Sequence, residues 1–450
     1  MKRKIYNKLK GWKDNRARKE ALLIDGARRV GKSYIVEEFA KNEYTSYILV
    51  NFANMTKELR EIFDNYLNDL DSFFTRLSLW SGVKLYQHET LIIFDEVQLY
   101  PKAREAIKWF VADNRYDYIE TGSLVSIRKN TKGIIVPSEE CHLDMHPMDF
   151  EEFLWALGED SLMPFVEDCF VKKQAVGAAL HRKLMDYLRL YMIVGGMPQA
   201  VNEYVESKDF DNVDHIKRNI LNLYRNDIYN YAYNDASKVV RIFDSVPGQL
   251  QRHEKKFRIG DLQKGARTRD YQNALFWLDE SRIINTCYAA TEPSIGLKLN
   301  RDDARYKLYF ADTGLLVSHS FDENEILSEK LYAKLLLDKI EINKGMLVEN
   351  LVAQMFKASG KRLYYYAQSN RYNSEENMEI DFLIRKPVVT TRHNICPVEV
   401  KSSNNYKTSS LIKFRNKFNQ YLDTCYVLHS SDLKEDNGIL YLPLYMTPLL

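Results

Sequence analysis

The chain has little with which to build a metal knuckle, a disulfide framework or a membrane span. Its five cysteines, Cys141, Cys169, Cys287, Cys396 and Cys425, are scattered and form no CxxC pair. That argues against both zinc ribbons and disulfide scaffolds and fits a reducing compartment. No run approaches the roughly 18 apolar residues a membrane span needs. The basic start, MKRKIYNKLKGWKDNRARKEALLI, lacks the apolar core and small-residue cleavage site of a secretion signal. The expected location is therefore the cytoplasm, with no membrane partner. Nor is there an excess of one charge: the formal net charge is only +2, so any nucleic-acid surface must be local rather than global. Internal repeats and low-complexity tracts are absent as well.

What is present is enough apolar residue, 45%, for a folded protein, in a chain of 450 residues that is too long for one ordinary core. The first 150 or so residues alternate apolar strands (ALLID, SYILVNFA, TLIIFDEV, YDYIETGS, HLDM) with helical patterns, which predicts a parallel sheet wrapped by helices. A helical stretch with a Gly195-Gly196-Met197-Pro198 break completes a first domain, 1–205, and the Tyr/Asn-rich NLYRNDIYNYAYNDASK marks a helical connector, 206–235. Residues 236–320 read as three short helices and a hairpin, a winged helix-turn-helix. Its third helix carries Tyr271, Ala274, Leu275 and Leu278 on one face. Lys264, Arg267 and Arg269 flank that helix, but acids lie close by, so DNA contact, protein contact and a lid on the nucleotide all stay open. Residues 321–450 run helix, three strands, helix, strand.

Two constellations carry chemistry. GARRVGKS follows a strand and opens a helix, the context a phosphate-binding loop requires. Gly26, Ala27, Arg28, Arg29, Val30 and Gly31 would turn backbone amides toward the phosphates, Lys32 would reach the β- and γ-phosphates, and Ser33 would offer its hydroxyl to Mg2+. At the end of TLIIFDEV, Asp95 would hold the same Mg2+ and Glu96 would polarise the attacking water. Thr121 or Ser123, in YIETGS, would sense the γ-phosphate, unless the segment is a turn that merely favours such residues. No arginine finger is evident; Arg28 and Arg29 lie within the loop, Arg128 is a guess, and a second subunit could supply one.

The other constellation lies near the end. In EIDFLI, alternation places Glu379 and Asp381 opposite Ile380, Phe382 and Ile384, and in CPVEVK it pairs Glu399 with Lys401 on one face. If these strands pair through KPVVTTRHN, then Asp381, Glu399 and Lys401 converge, and Glu349 on the preceding helix completes the group. Three carboxylates and a lysine can hold Mg2+ or Mn2+ and cut a phosphodiester, although a solvated strand face with cross-strand ion pairs has the same pattern.

The motifs GARRVGKS, LIIFDEVQLYP, ETGSL, HPMDFEEFL and GGMP resemble those of a bacterial and archaeal AAA-type ATPase family fused to a C-terminal PD-(D/E)XK nuclease-like domain. FADTGL, GMLVEN, EIDFLI and VEVKSS resemble the signatures of that second half, and the resemblance covers nearly the whole chain. It implies an α/β protein: a P-loop NTPase domain, a winged middle and a restriction-endonuclease-like domain. It also implies ATP and Mg2+ as cofactors, Gly26, Gly31, Lys32 and Ser33 as Walker A, and Asp95 and Glu96 as Walker B. Glu349, Asp381, Glu399 and Lys401 match the nuclease motif, with Ile380 where the family often has proline; the implied partner is DNA or RNA. The family is also similar to signal-transducing ATPases that use nucleotide as a switch, which leaves a non-cutting reading open.

Overall fold

A computed structural model describes all residues except 123–137, 253–254, 295, 322–343, 371, 387–392 and 404. The chain divides into two compact units, Met1–His146 and Pro147–Leu450. Among the described residues, no helix is long and apolar enough to cross a membrane.

In the first unit, helix α1 (Ile5–Asn15) leads into β1 (Ala21–Asp25), α2 (Lys32–Glu43), β2 (Ser46–Asn51), α3 (Lys57–Asn65), α4 (Leu70–Ser81), β3 (Thr90–Asp95), α5 (Pro101–Asp113), β4 (Asp117–Gly122) and β5 (Glu140–Asp144). The strands form one parallel sheet in the order β2-β3-β4-β1-β5. Strands β1, β3 and β4 are buried along their whole length, which is why β1 and β3 read as apolar runs instead of alternating ones, while β4 also buries Asp117, Glu120 and Thr121. One face is packed by Phe52, Phe63, Phe73, Phe94 and Phe110, whose rings meet edge-on or tilted. Parallel strands all point one way, so the polar residues that end them, Asp25, Asn51, Asp95 and Thr121, gather at one edge.

The second unit starts with α6 (Phe150–Ala156), α7 (Leu162–Lys172), α8 (Ala178–Val194), α9 (Pro198–Ser207) and α10 (Phe210–Tyr231). HPMDFEEFL is a capping box: Asp149 accepts from the Glu152 backbone at 2.9 Å and Glu152 from the Asp149 backbone at 3.0 Å. Next come α11 (Ala236–Leu250), a 3-10 turn (Ile259–Asp261), α12 (Thr268–Glu280), the antiparallel hairpin β6 (Ile284–Ala290) and β7 (Arg301–Phe310), and α13 (Thr313–Ser320). The C-terminal part holds α14 (Lys344–Ala358), β8 (Tyr364–Gln368), β9 (Met378–Ile380), β10 (Phe382–Arg385), β11 (Ile395–Val400), α15 (Ser409–Phe418), β12 (Cys425–His429), β13 (Lys434–Asp436) and β14 (Ile439–Pro443).

Three expectations meet a different arrangement. The boundary drawn at residue 205 falls instead at 146, because residues 147–205 pack into the second unit. Asp312, which caps α13 by accepting from Leu315 N at 2.9 Å, also accepts from Gly196 N at 2.6 Å, and Gln354 donates to Tyr191 Oη at 2.9 Å. GGMP, FADTGL and the helix that carries GMLVEN thus interlock. The helical connector expected at 206–235 is largely one helix, α10, but a packed one, burying Val213, Ile220, Leu221, Tyr224 and Ile228 within the second unit. In the middle segment, the second of the three expected helices is only the 3-10 turn, and the hairpin is no free wing. Its strand β6 also pairs in parallel with β8, giving a sheet of order β7-β6-β8-β9 beside a second of order β10-β11-β12-β14-β13. Of the four residues expected on one face of α12, Tyr271, Ala274 and Leu278 are buried and Leu275 is half-buried, while Lys264, Arg267 and Arg269 are exposed.

Candidate functional site

The loop between β1 and α2 is shaped by two glycines. Gly31 caps α2 at φ 95°, a left-handed conformation that side chains disfavour. At Gly26 a Cβ would lie 2.3 Å from the Met145 carbonyl oxygen, so only glycine fits. Ala27 and Val30 are buried, whereas Arg28 and Arg29 are exposed. Lys32 curls back to donate to the Gly26 and Ala27 carbonyls at 2.9 and 3.0 Å. Burial pushes its ammonium below the usual lysine range, against the opposing charges of Glu96, Asp25 and Asp95.

Asp95 is the hub. Its Oδ1 accepts from Ser33 Oγ at 2.7 Å and from Thr121 Oγ1, and its Oδ2 accepts from Asn51 Nδ2 at 3.0 Å. Asn51 was missed by sequence reading. The available signal was its place as the polar end of the strand SYILVN, in register with Asp95 on the neighbouring strand. Glu96, one residue on, has φ 55°, an uncommon conformation for a non-glycine, and its carboxylate accepts from Gln98 Nε2. Ser123 and Arg128 lie outside the described residues. The loop cradle, the folded-back lysine and the Ser33–Asp95 pair fit a magnesium nucleotide.

In the C-terminal part, β10 and β11 pair antiparallel with Phe382 opposite Val398, so Asp381 stands opposite Glu399. The extended segment changes sheets at Asp381: Ile380 pairs with Tyr366 on β8, and Phe382 with Val398 on β11. Asp381 Oδ2 accepts from Val400 N at 2.8 Å, and Glu399 Oε1 lies 3.3 Å from Lys401 Nζ. Glu399 Oε2 is buried without a hydrogen-bond partner. Burial pushes the Glu399 carboxyl up to about 7, with Lys401 opposing and Asp381 adding. Asp381 is pushed up to about 6 by burial and by the Glu349 charge, against Lys307 and Lys255.

Glu349 does not join these two as a free ligand. Its carboxylate takes Lys255 Nζ and Tyr309 Oη, with Lys307 Nζ at 3.2 Å. Burial alone would raise it, but the two ammonium groups outweigh burial and hold it down at about 2. Among the described residues, no group of three His, Cys, Asp or Glu is placed to hold a metal ion. The expected three-carboxylate Mg2+ or Mn2+ site is therefore not assembled, because lysines occupy the oxygens of Glu349. Sequence reading missed Lys307 and Tyr309; their signal was a lysine within the strand YKLYF, two residues from a tyrosine and hence on the same face.

With this geometry in hand, comparison with known proteins finds three family matches. Residues 18–154 match an AAA domain, 185–325 a domain of unknown function (DUF8612), and 344–446 another domain of unknown function (DUF4143). A search of curated proteins finds no match. Among solved structures, the chain is similar to a Walker-type ATPase of Pyrococcus abyssi, at 16% identity and TM-score 0.40, covering 70% of this chain and 94% of that one. It is also similar to Cdc6p from Pyrobaculum aerophilum, at 12% identity and TM-score 0.24, covering 74% and 92%. The AAA match contains every residue of the loop and the Asp95 hub. Residues 18–154 thus form an AAA domain.

Proposed function

We propose that the protein binds ATP at the Gly26–Ser33 loop, hydrolyses it, and uses the nucleotide state as a switch read by the Pro147–Leu450 unit. The observation that carries the first part is the convergence of Ser33, Asn51 and Thr121 on the single carboxylate of Asp95. Bound with ATP, magnesium would supply positive charge to offset the charge that develops on the phosphates. Ser33 and Asp95 are the residues to hold it. Lys32 exchanges its two carbonyl contacts for the phosphates, which add negative charge to that of Glu96, Asp25 and Asp95. Glu96, steadied by Gln98, orients the water and accepts its proton.

The test compares Glu96→Gln with wild type in nucleotide binding and phosphate release. Expected is binding within a few-fold and turnover reduced by about 10²-fold or more. Equal turnover would mean that another group is the base.

A second reading is favoured by the order of elements in 344–446 and by the register that sets Asp381 opposite Glu399, with Lys401 two residues on. In that reading the C-terminal domain is a PD-(D/E)XK nuclease-like domain acting on DNA or RNA, and α11, α12 and the β6–β7 hairpin form a winged coupling element. A cytoplasmic location and a second subunit supplying an arginine belong to either reading. Manganese-dependent cleavage of single- and double-stranded DNA and RNA, with ATP, ADP or neither, separates the two. Cleavage lost in Asp381→Ala would favour the nuclease; none under any condition, with ATP turnover intact, would favour the switch.

A further inference from the structure

The C-terminal carboxylates are already organised around a cation. Lys307 Nζ lies 2.8 Å from Glu379, 3.2 Å from Glu349 and 3.9 Å from Asp381, and its side chain is 1% exposed. Carboxylates offset the cost of burying this ammonium, and each of the three comes from a different place: α14, β9 and the crossing point between β9 and β10. Lys255 brings a second ammonium to Glu349 and also donates to the Gly345 carbonyl at 3.2 Å. A divalent ion would need the same oxygens at roughly 2.0–2.6 Å, a position from which the neighbouring ammonium would repel it.

We propose that the Lys307 ammonium fills the cation position of this carboxylate group, so that Glu349, Glu379 and Asp381 hold an internal lysine in place of a divalent metal ion. The site then has the carboxylates of a phosphodiester-cutting centre without its metal chemistry. Lys307 also ties the β6–β7 hairpin to α14 and to the segment at which the chain changes sheets. The inference goes beyond the ATPase reading and does not depend on it, because Lys32, Asp95 and Glu96 lie in the other unit.

The test is Mn2+ binding, read from the free-ion EPR signal, on nucleotide-free full-length wild type, Asp381→Asn, Lys307→Met and the double variant, each with a thermal melt with and without Mn2+. Wild type and Asp381→Asn are expected to bind alike. Lys307→Met is expected to gain a Mn2+ site at least about tenfold tighter than anything in wild type, and the double variant to lose it. Mn2+ bound by wild type and lost in Asp381→Asn would overturn the proposal, as would a folded Lys307→Met that gains nothing. Should Lys307→Met fold only when Mn2+ is added, that rescue supports the proposal; should it fail to fold at all, the comparison of wild type with Asp381→Asn decides. ATP turnover measured in parallel keeps the two readings apart, since loss of turnover bears on the switch and leaves the Mn2+ result standing.

Discussion

What surrounds a lysine decides the cost of withdrawing it from water, and three of the described lysines show different outcomes. Lys307 is held charged by three carboxylates, while Lys32 leans on two carbonyls beside Glu96, Asp25 and Asp95. Lys32→Ala is expected to weaken nucleotide binding at least about tenfold, because no other ammonium on the loop reaches the phosphates from inside; titration with a fluorescent ATP analogue measures it. Lys217 is the third, fully buried on α10, donating to the Ile193 carbonyl at 2.8 Å. Burial pushes it down to about 8, against Asp214 and Asp312. Between about 8 and the ordinary lysine value of 10.5, the unfolded chain binds a proton that the folded chain does not, so stability rises with pH across that window. At pH 7 the buried charge costs on the order of 3 kcal/mol relative to an unperturbed lysine. Urea melts at pH 7.5 and 10 should therefore show wild type gaining stability relative to Lys217→Met; parallel curves would refute this.

At the scale of elements, several motifs prove to be joints between elements. Gly196 has its backbone donating to Asp312, and a Cβ there would lie 2.1 Å from the Met148 carbonyl oxygen. Backbone cannot move aside cheaply, so Gly196→Ala should destabilise the protein by about 2–4 kcal/mol, read as a lowered midpoint in a denaturant melt. A shift within ~0.5 kcal/mol would show that the joint relaxes. The same logic explains why a boundary at residue 205 looked natural in sequence yet is absent in space. The Gly-Gly-Met-Pro break ends α8 locally, but its backbone amide is claimed by a residue more than a hundred positions later. Likewise, strict alternation through EIDFLI fails at Leu383, which is buried next to the equally buried Phe382 and Ile384, because the segment changes sheets at Asp381 and both sides beyond it are covered.

Considered as a whole molecule, the five strands of the parallel sheet and every residue of the nucleotide site fall within Met1–His146. A fragment of residues 1–146 is therefore expected to fold and to be stabilised by ATP, by roughly 2.7 kcal/mol at a hundredfold excess over Kd. A thermal shift with MgATP measures it, and an unfolded fragment would mean that the second unit is needed to complete the first. The nucleotide site was legible because its chemistry is local: GARRVGKS and FDEV each place their groups within one turn at the end of one strand. Tertiary structure added Asn51 and Thr121 to Asp95 through the parallel register, which no single segment encodes. The C-terminal group was legible only in part. Period-two alternation put Asp381 and Glu399 on faces that can meet if their strands pair, and the antiparallel register stands them opposite each other. It could not reveal that Lys255 and Lys307, far away in sequence, would reach Glu349 first, because ion pairing in a core depends on which side chains share a desolvated volume, and only the packed chain decides that.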